Sequence, residues 1–325
     1  GEDRFVAAIK AYLRRFDGQA ATIGDLFDVI EAECGKDLTQ FRKWLHQTGR
    51  PTVTATRSYD PVTRRATVTL TQKVPDKPGP GGPLHIPVRL ALLDPTGGLP
   101  GEEQLVELTD WSQTIVFEDQ SCAPIPSLLR GFTAPVTLEC DLSDDELAHL
   151  ALHDPDPFVG WNSAQQLFTR TIRKLSHLPA DKMDAGVPQG IVDLVASLVR
   201  NGAVANPGLT AQKLSLPDEP ALSEGLDQVR LDEHLAAREA VKRAIGNALR
   251  ELIGSVYRAL DGLDPANRSP RTISRSEGGR DAIGQYCEGI LFFAIVNIAS
   301  HRHTSIDPTR LCMNMSDGVR CGFLE

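Results

Sequence analysis

Apolar positions along the chain change their spacing at several points, and each change marks a new element. Phe5, Ile9, Tyr12, Leu13 and Phe16 recur three and four residues apart, which places them on one stripe of a helix that Asp17-Gly18 ends. A second helix starts at Thr22, whose hydroxyl can accept from free first-turn amides while Asp25 favours the positive end of the dipole. Leu26, Phe27 and Ile30 form its apolar side, and Gly35 follows its end. A third helix is predicted over Leu38, Phe41, Trp44 and Leu45, closed by Gly49-Arg50-Pro51. Three such helices lack partners enough to form a domain alone.

From Pro51 the period falls to two. Val53–Thr56 and Ala66–Leu70 are rich in β-branched residues and flank Tyr59-Asp60-Pro61, so they predict a hairpin. The run Lys77–Pro83, dense in proline and glycine, predicts a surface loop. Further strands are predicted at Ile86–Leu93, Gln104–Leu108, Gln113–Glu118 and Val136–Cys140, the last after a proline-containing linker. Several short strands in one stretch predict a small antiparallel β-sandwich.

At Ser143 the helical period returns. Ser143-Asp144-Asp145-Glu146 is a capping box. Phe158, Trp161, Phe168, Ile172 and Leu175 line a helix entered through Asp156-Pro157, with proline tolerated in the first turn. Ile191–Val199 predicts another helix, and Leu231–Leu260 the longest, with Leu235, Val241, Ile245, Leu249, Leu252 and Val256 along one face. With no strand between them, these segments form a helical array. Beyond Pro270 the pattern fails: Arg271–Gly279 has no period, Ile290–Ile298 is apolar on all sides, and three of the six cysteines fall in this tail. Propensity, patterning and capping stop agreeing there, as a reading-frame slip near Pro270 would cause.

Composition narrows the function classes. The 325 residues carry 34 basic and 43 acidic side chains, a net charge of −9, which argues against a nucleic-acid partner. The length predicts about two domains, and 41% hydrophobic residues can close their cores. The apolar run 290–298 is shorter than the roughly 20 residues a membrane span needs, so no membrane partner is expected. No basic segment leads into an apolar leader, and six cysteines without C-x-x-C spacing fit a reducing, cytoplasmic setting. The opening Gly1-Glu2-Asp3-Arg4 reads as a start inside a longer protein.

Catalytic chemistry is hard to assemble from these residues. None of the eight histidines is followed by glutamate, so the zinc-binding H-E-x-x-H helix is missing. His149 and His153 share a helix face that ends at Asp154-Pro155, which favours a structural or solvated role. His234 is expected at a core edge or in solvent rather than as a base. His301 and His303 near Cys312 and Cys321 have irregular spacing and rank last as a metal site. No G-x-S-x-G, G-x-x-x-x-G-K or G-x-G-x-x-G occurs. Asp144-Asp145 and Glu102-Glu103 are expected to be solvated, and Trp44, Trp111 and Trp161 to anchor three separate segments in the core.

Identity comes from other stretches. Asp17–Thr22, Asp37–Trp44 and Gln47–Pro51 resemble the segment that ends the catalytic domain of the bacterial aminopeptidase N family, zinc metallopeptidases of the gluzincin group. Pro83–Pro87 with Leu92-Leu93-Asp94, and Pro126–Val136, are similar to that family's β domain in order and spacing, and the likeness runs on through Leu152-His153-Asp154 to about Tyr257. The resemblance implies an α+β, multi-domain organisation. Residues 1–50 would be the terminal helices of a thermolysin-like catalytic domain, 51–142 an Ig-like β-sandwich, 143–270 the start of a truncated α-helical domain, and 271–325 an aberrant tail.

The family resemblance also implies peptide substrates and a catalytic zinc, held by the two histidines of H-E-x-x-H and a downstream glutamate. The motif's own glutamate would activate the zinc-bound water, a tyrosine would support the oxyanion, and a Gly-x-Met-Glu-Asn stretch would recognise the substrate amine. No position here matches those motifs. The expectation is therefore a parent aminopeptidase whose zinc ligands lie outside these residues, with no catalytic, cofactor-binding or metal residue carried over and the chain inert by itself. The alternative is a non-enzymatic interaction module of sandwich and helical array.

Overall fold

A computed structural model describes residues 1–75, 81–96, 102–203 and 205–261. The irregular tail and its proposed frame slip lie outside the described residues, as do His301, His303, Cys312 and Cys321. The chain divides into two compact units, one of Gly1–Thr171 with Gln212–Glu224, the other of Ile172–Ala211 with Gly225 onward.

The first unit opens with α1 (Glu2–Phe16) and α2 (Ile23–Cys34). Thr22 caps α2 as its sequence predicts, and Asp25 completes a capping box by accepting from the Thr22 backbone N–H at 2.7 Å. Gly35 ends the helix in the left-handed region, where a side chain would be strained. Only Ala8 and Val29 of this helix pair are buried, while Phe5 and Leu13 remain 50% and 61% exposed. The third predicted helix is instead a single 3-10 turn, Phe41–Leu45. Tertiary anchors fix it: Trp44 Nε1 donates to the His85 carbonyl at 2.9 Å and Gln40 Nε2 to that of Thr109 at 2.7 Å, holding the turn to the sandwich.

The sandwich has β1 (Thr52–Asp60), β2 (Arg65–Lys73), β3 (Ile86–Leu93), β4 (Gln104–Leu108), β5 (Ser112–Phe117), β6 (Ile125–Leu128) and β7 (Thr137–Cys140). One sheet runs β5-β2-β1-β7 and the other β4-β3-β6. Alternation along β1 and β2 turns Val53, Ala55, Ala66, Val68 and Leu70 onto the interleaved core with Ile86, Val88, Leu90 and Leu108, while the threonines between them face out. Thr69 and Thr114, paired across β2 and β5, share a hydroxyl hydrogen bond of 2.9 Å on that outer face. One polar side chain inside is Gln72, whose amide accepts from the Leu84 N–H and donates to the Leu84 and Asp110 carbonyls, stitching the two strand ends together.

Two features differ from the sequence reading. The sandwich is not wholly antiparallel: β7 lies parallel to β1, with Val53 opposite Leu138, because the chain reaches it from β6 in the other sheet. Hydrophobic period carries no strand direction, so this could not be read from the pattern. The proline-containing linker also holds a strand, β6, and it is an edge strand, the kind of position in a sheet where proline is found.

After the sandwich come α3 (Asp144–His153) and α4 (Pro157–Leu175). The Ser143–Glu146 capping box forms as predicted, and Glu146 also takes a bidentate pair from Arg57 of β1, Nη1 at 2.5 Å and Nη2 at 2.7 Å. Burial works against the Glu146 charge, but Arg57 and the Ser143 N–H outweigh it and hold its pKa below the ordinary value. On α4, Gly160 gives passage to Lys213 of α7 (Pro207–Leu214), whose Nζ donates to the Ala151 carbonyl at the end of α3, 2.8 Å away. A Cβ on residue 160 would lie 2.5 Å from that Nζ and 2.8 Å from Cε. A short helix, α8 (Glu219–Ser223), completes this unit, N-capped by Asp218.

In the second unit, α5 (Ala180–Met183), α6 (Gln189–Gly202), α9 (Leu231–Ala248) and α10 (Arg250–Asp261) follow the end of α4. Ile191, Leu194, Val195 and Leu198 of α6 are buried, as are Ala237, Ala240, Val241 and Ile245 of α9. Arg243 clamps Asp184 through two nitrogens, which ties α9 to the turn after α5. The single long helix expected over Leu231–Leu260 breaks at Leu249, where φ −111° and ψ 16° leave the helical region. Gly246-Asn247, two weak helix formers, precede the break and lower the cost of leaving the ladder there.

Two stability measurements follow. Because the Glu146 pKa is depressed on folding, its stabilisation is present above the ordinary glutamate pKa and lost as pH falls through the folded value. Glu146→Gln should cost about 1–2 kcal/mol at neutral pH and less in acid, read from melting temperatures at both. Gly160→Ala should destabilise the native chain by about 1–3 kcal/mol, because the Lys213 head must leave its carbonyl. In a Lys213→Ala background the same change should become neutral or stabilising by up to about 1 kcal/mol, since alanine is the better helix former.

Candidate functional site

The densest polar construction among the described residues is built around Arg130. Its backbone turn is unusual: Leu129, Gly131 and Phe132 have φ of 55°, 64° and 52°. Left-handed conformation at two non-glycine residues costs on the order of 1–3 kcal/mol each and persists only where the surroundings enforce it. The turn delivers the Arg130 guanidinium inward, leaving its side chain 6% exposed. Nε donates to Glu103 Oε2 at 2.6 Å, and Nη1 to Ser127 Oγ at 2.7 Å and to Asp154 Oδ1 at 2.8 Å.

Asp154 is the residue that ends α3, and its side chain is fully buried. Its Oδ1 also accepts the Asp156 N–H at 2.8 Å, while Oδ2 is buried without a partner. Asp156 then caps α4, accepting from Val159 N–H through Oδ1 and reaching back to the Gly131 N–H through Oδ2. The sequence Asp154-Pro155-Asp156-Pro157 thus ends one helix, starts the next, and ties both to the strained turn of the sandwich. Burial opposes the Arg130 charge, and Glu103 and Asp154 outweigh it, raising its pKa further. Burial pushes the nearby Lys213 ammonium down, with Asp154 working in the opposite direction.

Chemically this is a joint. A guanidinium with a raised pKa neither gives nor takes a proton near neutrality, and its donors are committed to fixed partners. The nearby pocket lined by Pro126, Cys140, Leu150, Ser163 and Gln166 leaves about 20 Å3. That is space for about one water, and no peptide would fit it.

The residues singled out in the sequence fall mostly elsewhere. Glu103, expected in solvent with Glu102, is instead a partner of buried Arg130 and also lies 3.2 Å from Arg89. Its loop position gave no sign of this, because the pairing spans 27 residues. His149 and His153 do share a face of α3, with ring centroids 4.7 Å apart, and His149 Nε2 lies 3.1 Å from the Asp94 carbonyl. Burial and His149 together push the His153 pKa down. His234 is buried, where a core edge or solvent was expected. Trp44 packs on the sandwich core, whereas Trp111 and Trp161 are 51% and 36% exposed and are not core anchors. Among the described residues Cys34, Cys122 and Cys140 are free thiols. No group of three or more His, Cys, Asp or Glu side chains placed to hold a metal occurs among the described residues. None of the described helices is long and apolar enough to cross a membrane. Arg130 itself lay in view inside the Pro126–Val136 block, but only its burial reveals its part.

Comparison with known proteins matches this architecture. Residues 49–141 match a family described as "Domain of unknown function (DUF3458) Ig-like fold", and residues 144–293 its C-terminal companion, described as ARM repeats. The second match begins beside the Ser143 cap and runs past residue 270. Aminopeptidase N of Escherichia coli is 31% identical over 80% of this chain, and the Haemophilus influenzae and Caulobacter vibrioides proteins of the same name are 29% and 31% identical over 79%. The chain spans less than a third of each relative, 31%, 30% and 30% respectively. A crystal structure of Legionella pneumophila aminopeptidase A in complex with aspartic acid superposes with a TM-score of 0.77, covering 91% of this chain and 33% of that one at 21% identity, which establishes a shared fold. By sequence, domain order and fold, the chain is a relative of bacterial aminopeptidase N and corresponds to the C-terminal part of those proteins.

Proposed function

We propose that this chain serves a zinc-dependent aminopeptidase that removes N-terminal residues from peptides, and that it is the non-catalytic part of that enzyme. The observation that carries this reading is the ordered match of about four-fifths of the chain to three aminopeptidase N proteins, of which it spans under a third. Zinc chemistry needs a metal seat, since the ion lowers the pKa of its bound water toward about 7 and polarises the scissile carbonyl. The donors among the described residues do not fit that group: the histidines of α3 pair with each other and with a backbone carbonyl, and no third ligand joins them. No catalytic step is therefore routed through these residues. Peptides are the proposed substrates of the whole enzyme, and the free thiols of Cys34, Cys122 and Cys140 among the described residues support a cytoplasmic location.

The Arg130 joint supports a structural part for this chain, because its charges are spent on fixing the sandwich to α3 and α4. Arg130→Met should lower stability by about 3–5 kcal/mol, by stranding Asp154 as an uncompensated buried charge. The combined change with Asp154→Leu should recover part of that loss in thermal melts.

Two measurements test the functional reading. The isolated chain should release no chromophore from aminoacyl anilides, with or without added zinc; turnover abolished by a chelator would overturn the non-catalytic assignment. The gene should encode H-E-x-x-H with a downstream glutamate in frame on the 5′ side of Gly1. A gene without that motif would leave the alternative, an interaction module of sandwich and helical array, as the function.

A further inference from the structure

The second half of α3 carries a pair of imidazoles that the joint at Arg130 does not use. His149 and His153 stand about one helical turn apart, and their ring centroids are 4.7 Å apart with planes tilted by 41°. Nε2 of His149 lies 3.1 Å from the Asp94 carbonyl oxygen. A carbonyl only accepts, so Nε2 carries the proton and, in the neutral ring, Nδ1 holds the lone pair. No hydrogen bond joins the two rings, and His153 is exposed, with no hydrogen-bond partner among the described residues.

Three features suit a metal ion. An imidazole that donates its other N–H to a backbone carbonyl has its tautomer and plane fixed, which is how histidine ligands are ordinarily held. Two imidazoles bound to one ion at about 2.1 Å and about 90° to each other have centroids about 4.6 Å apart, close to the spacing found here. The surrounding charge favours a cation: α3 ends at His153, so the negative end of its dipole lies beside the rings, and Asp94 and Asp145, the latter one turn before His149, add carboxylates. Arg130 and Lys213, cations bonded at this end of α3, are buried and committed to Asp154 and to the Ala151 carbonyl.

We propose that His149 and His153 form a bidentate site for a borderline divalent transition ion of the nickel and copper class, with His149 bonding through Nδ1 and water completing the coordination. Imidazole donors select such ions over magnesium and calcium, which take oxygen. Two protein donors fall short of the three that a hydrolytic zinc needs, so the site is structural and braces the last turn of α3 beside Asp154. It does not depend on the aminopeptidase reading.

The test uses the full chain with nitrogen-15 histidine and Ni(II), which leaves thiols unoxidised. Expected is a saturable, paramagnetic loss of the His149 and His153 ring signals at Ni(II) concentrations that spare the lone exposed ring of His46, and no effect of magnesium. His153→Gln, a change at an exposed position, should weaken binding read at His149 by about tenfold or more, because the second tethered donor is lost. Cys122→Ser, and the double change His301→Gln with His303→Gln, should leave the midpoint where it was, which separates this pair from other donors of the chain. An unchanged midpoint at His149 in the His153→Gln chain, a midpoint moved by the tail or cysteine changes, or a His149 signal lost only alongside that of His46 would each overturn the site.

Discussion

A guanidinium removed from water must find its counter-charges where it sits, and in the first unit that requirement fixes several elements at once. Arg130 is satisfied only if the chain after β6 turns left-handed, if the loop before β4 brings Glu103 inward, and if α3 ends where Asp154 can reach. Each condition restrains a different stretch of sequence. The sandwich core of Val53, Leu70, Leu90 and Leu108 supplies most of the burial, but burial is non-directional. Directional charge pairing is what selects one placement of the α3–α4 corner on the sheet edge.

The same logic recurs at smaller scale. Trp44 and Gln40 anchor a 3-10 turn through carbonyls of the sandwich loops, and Gln72 joins two strand ends through its amide. Lys213 closes the end of α3 through a gap that only glycine leaves on α4. In all of these a polar group reaches across many residues to meet a backbone atom outside its own element.

What could be read from sequence was local. The caps at Thr22 and Ser143, the hairpin of β1 and β2 and the proline entry to α4 depend on residues within a few positions of one another, and each stands where the pattern put it. What escaped was non-local: the parallel β7, the pairing of Glu103, the buried place of His234 and the exposure of Trp111. Strand direction and ion pairing depend on partners tens of residues away, and hydrophobic period records neither. The family likeness was legible because whole blocks such as Pro126–Val136 encode such distant constraints together, even where the reason for a single residue is hidden.

The parallel pairing of β1 with β7 bears on how the chain comes to be folded during synthesis. The hairpin is complete by Lys73, yet the strand that covers its free border, Thr137–Cys140, is translated only after the whole second sheet. Until then β1 offers a row of unpaired amides and carbonyls to any neighbour. Closure of that border is a late, long-range event of the slow kind, and it is followed within a few residues by the Ser143 cap. A nascent chain stalled before residue 137 would thus be at its most adhesive.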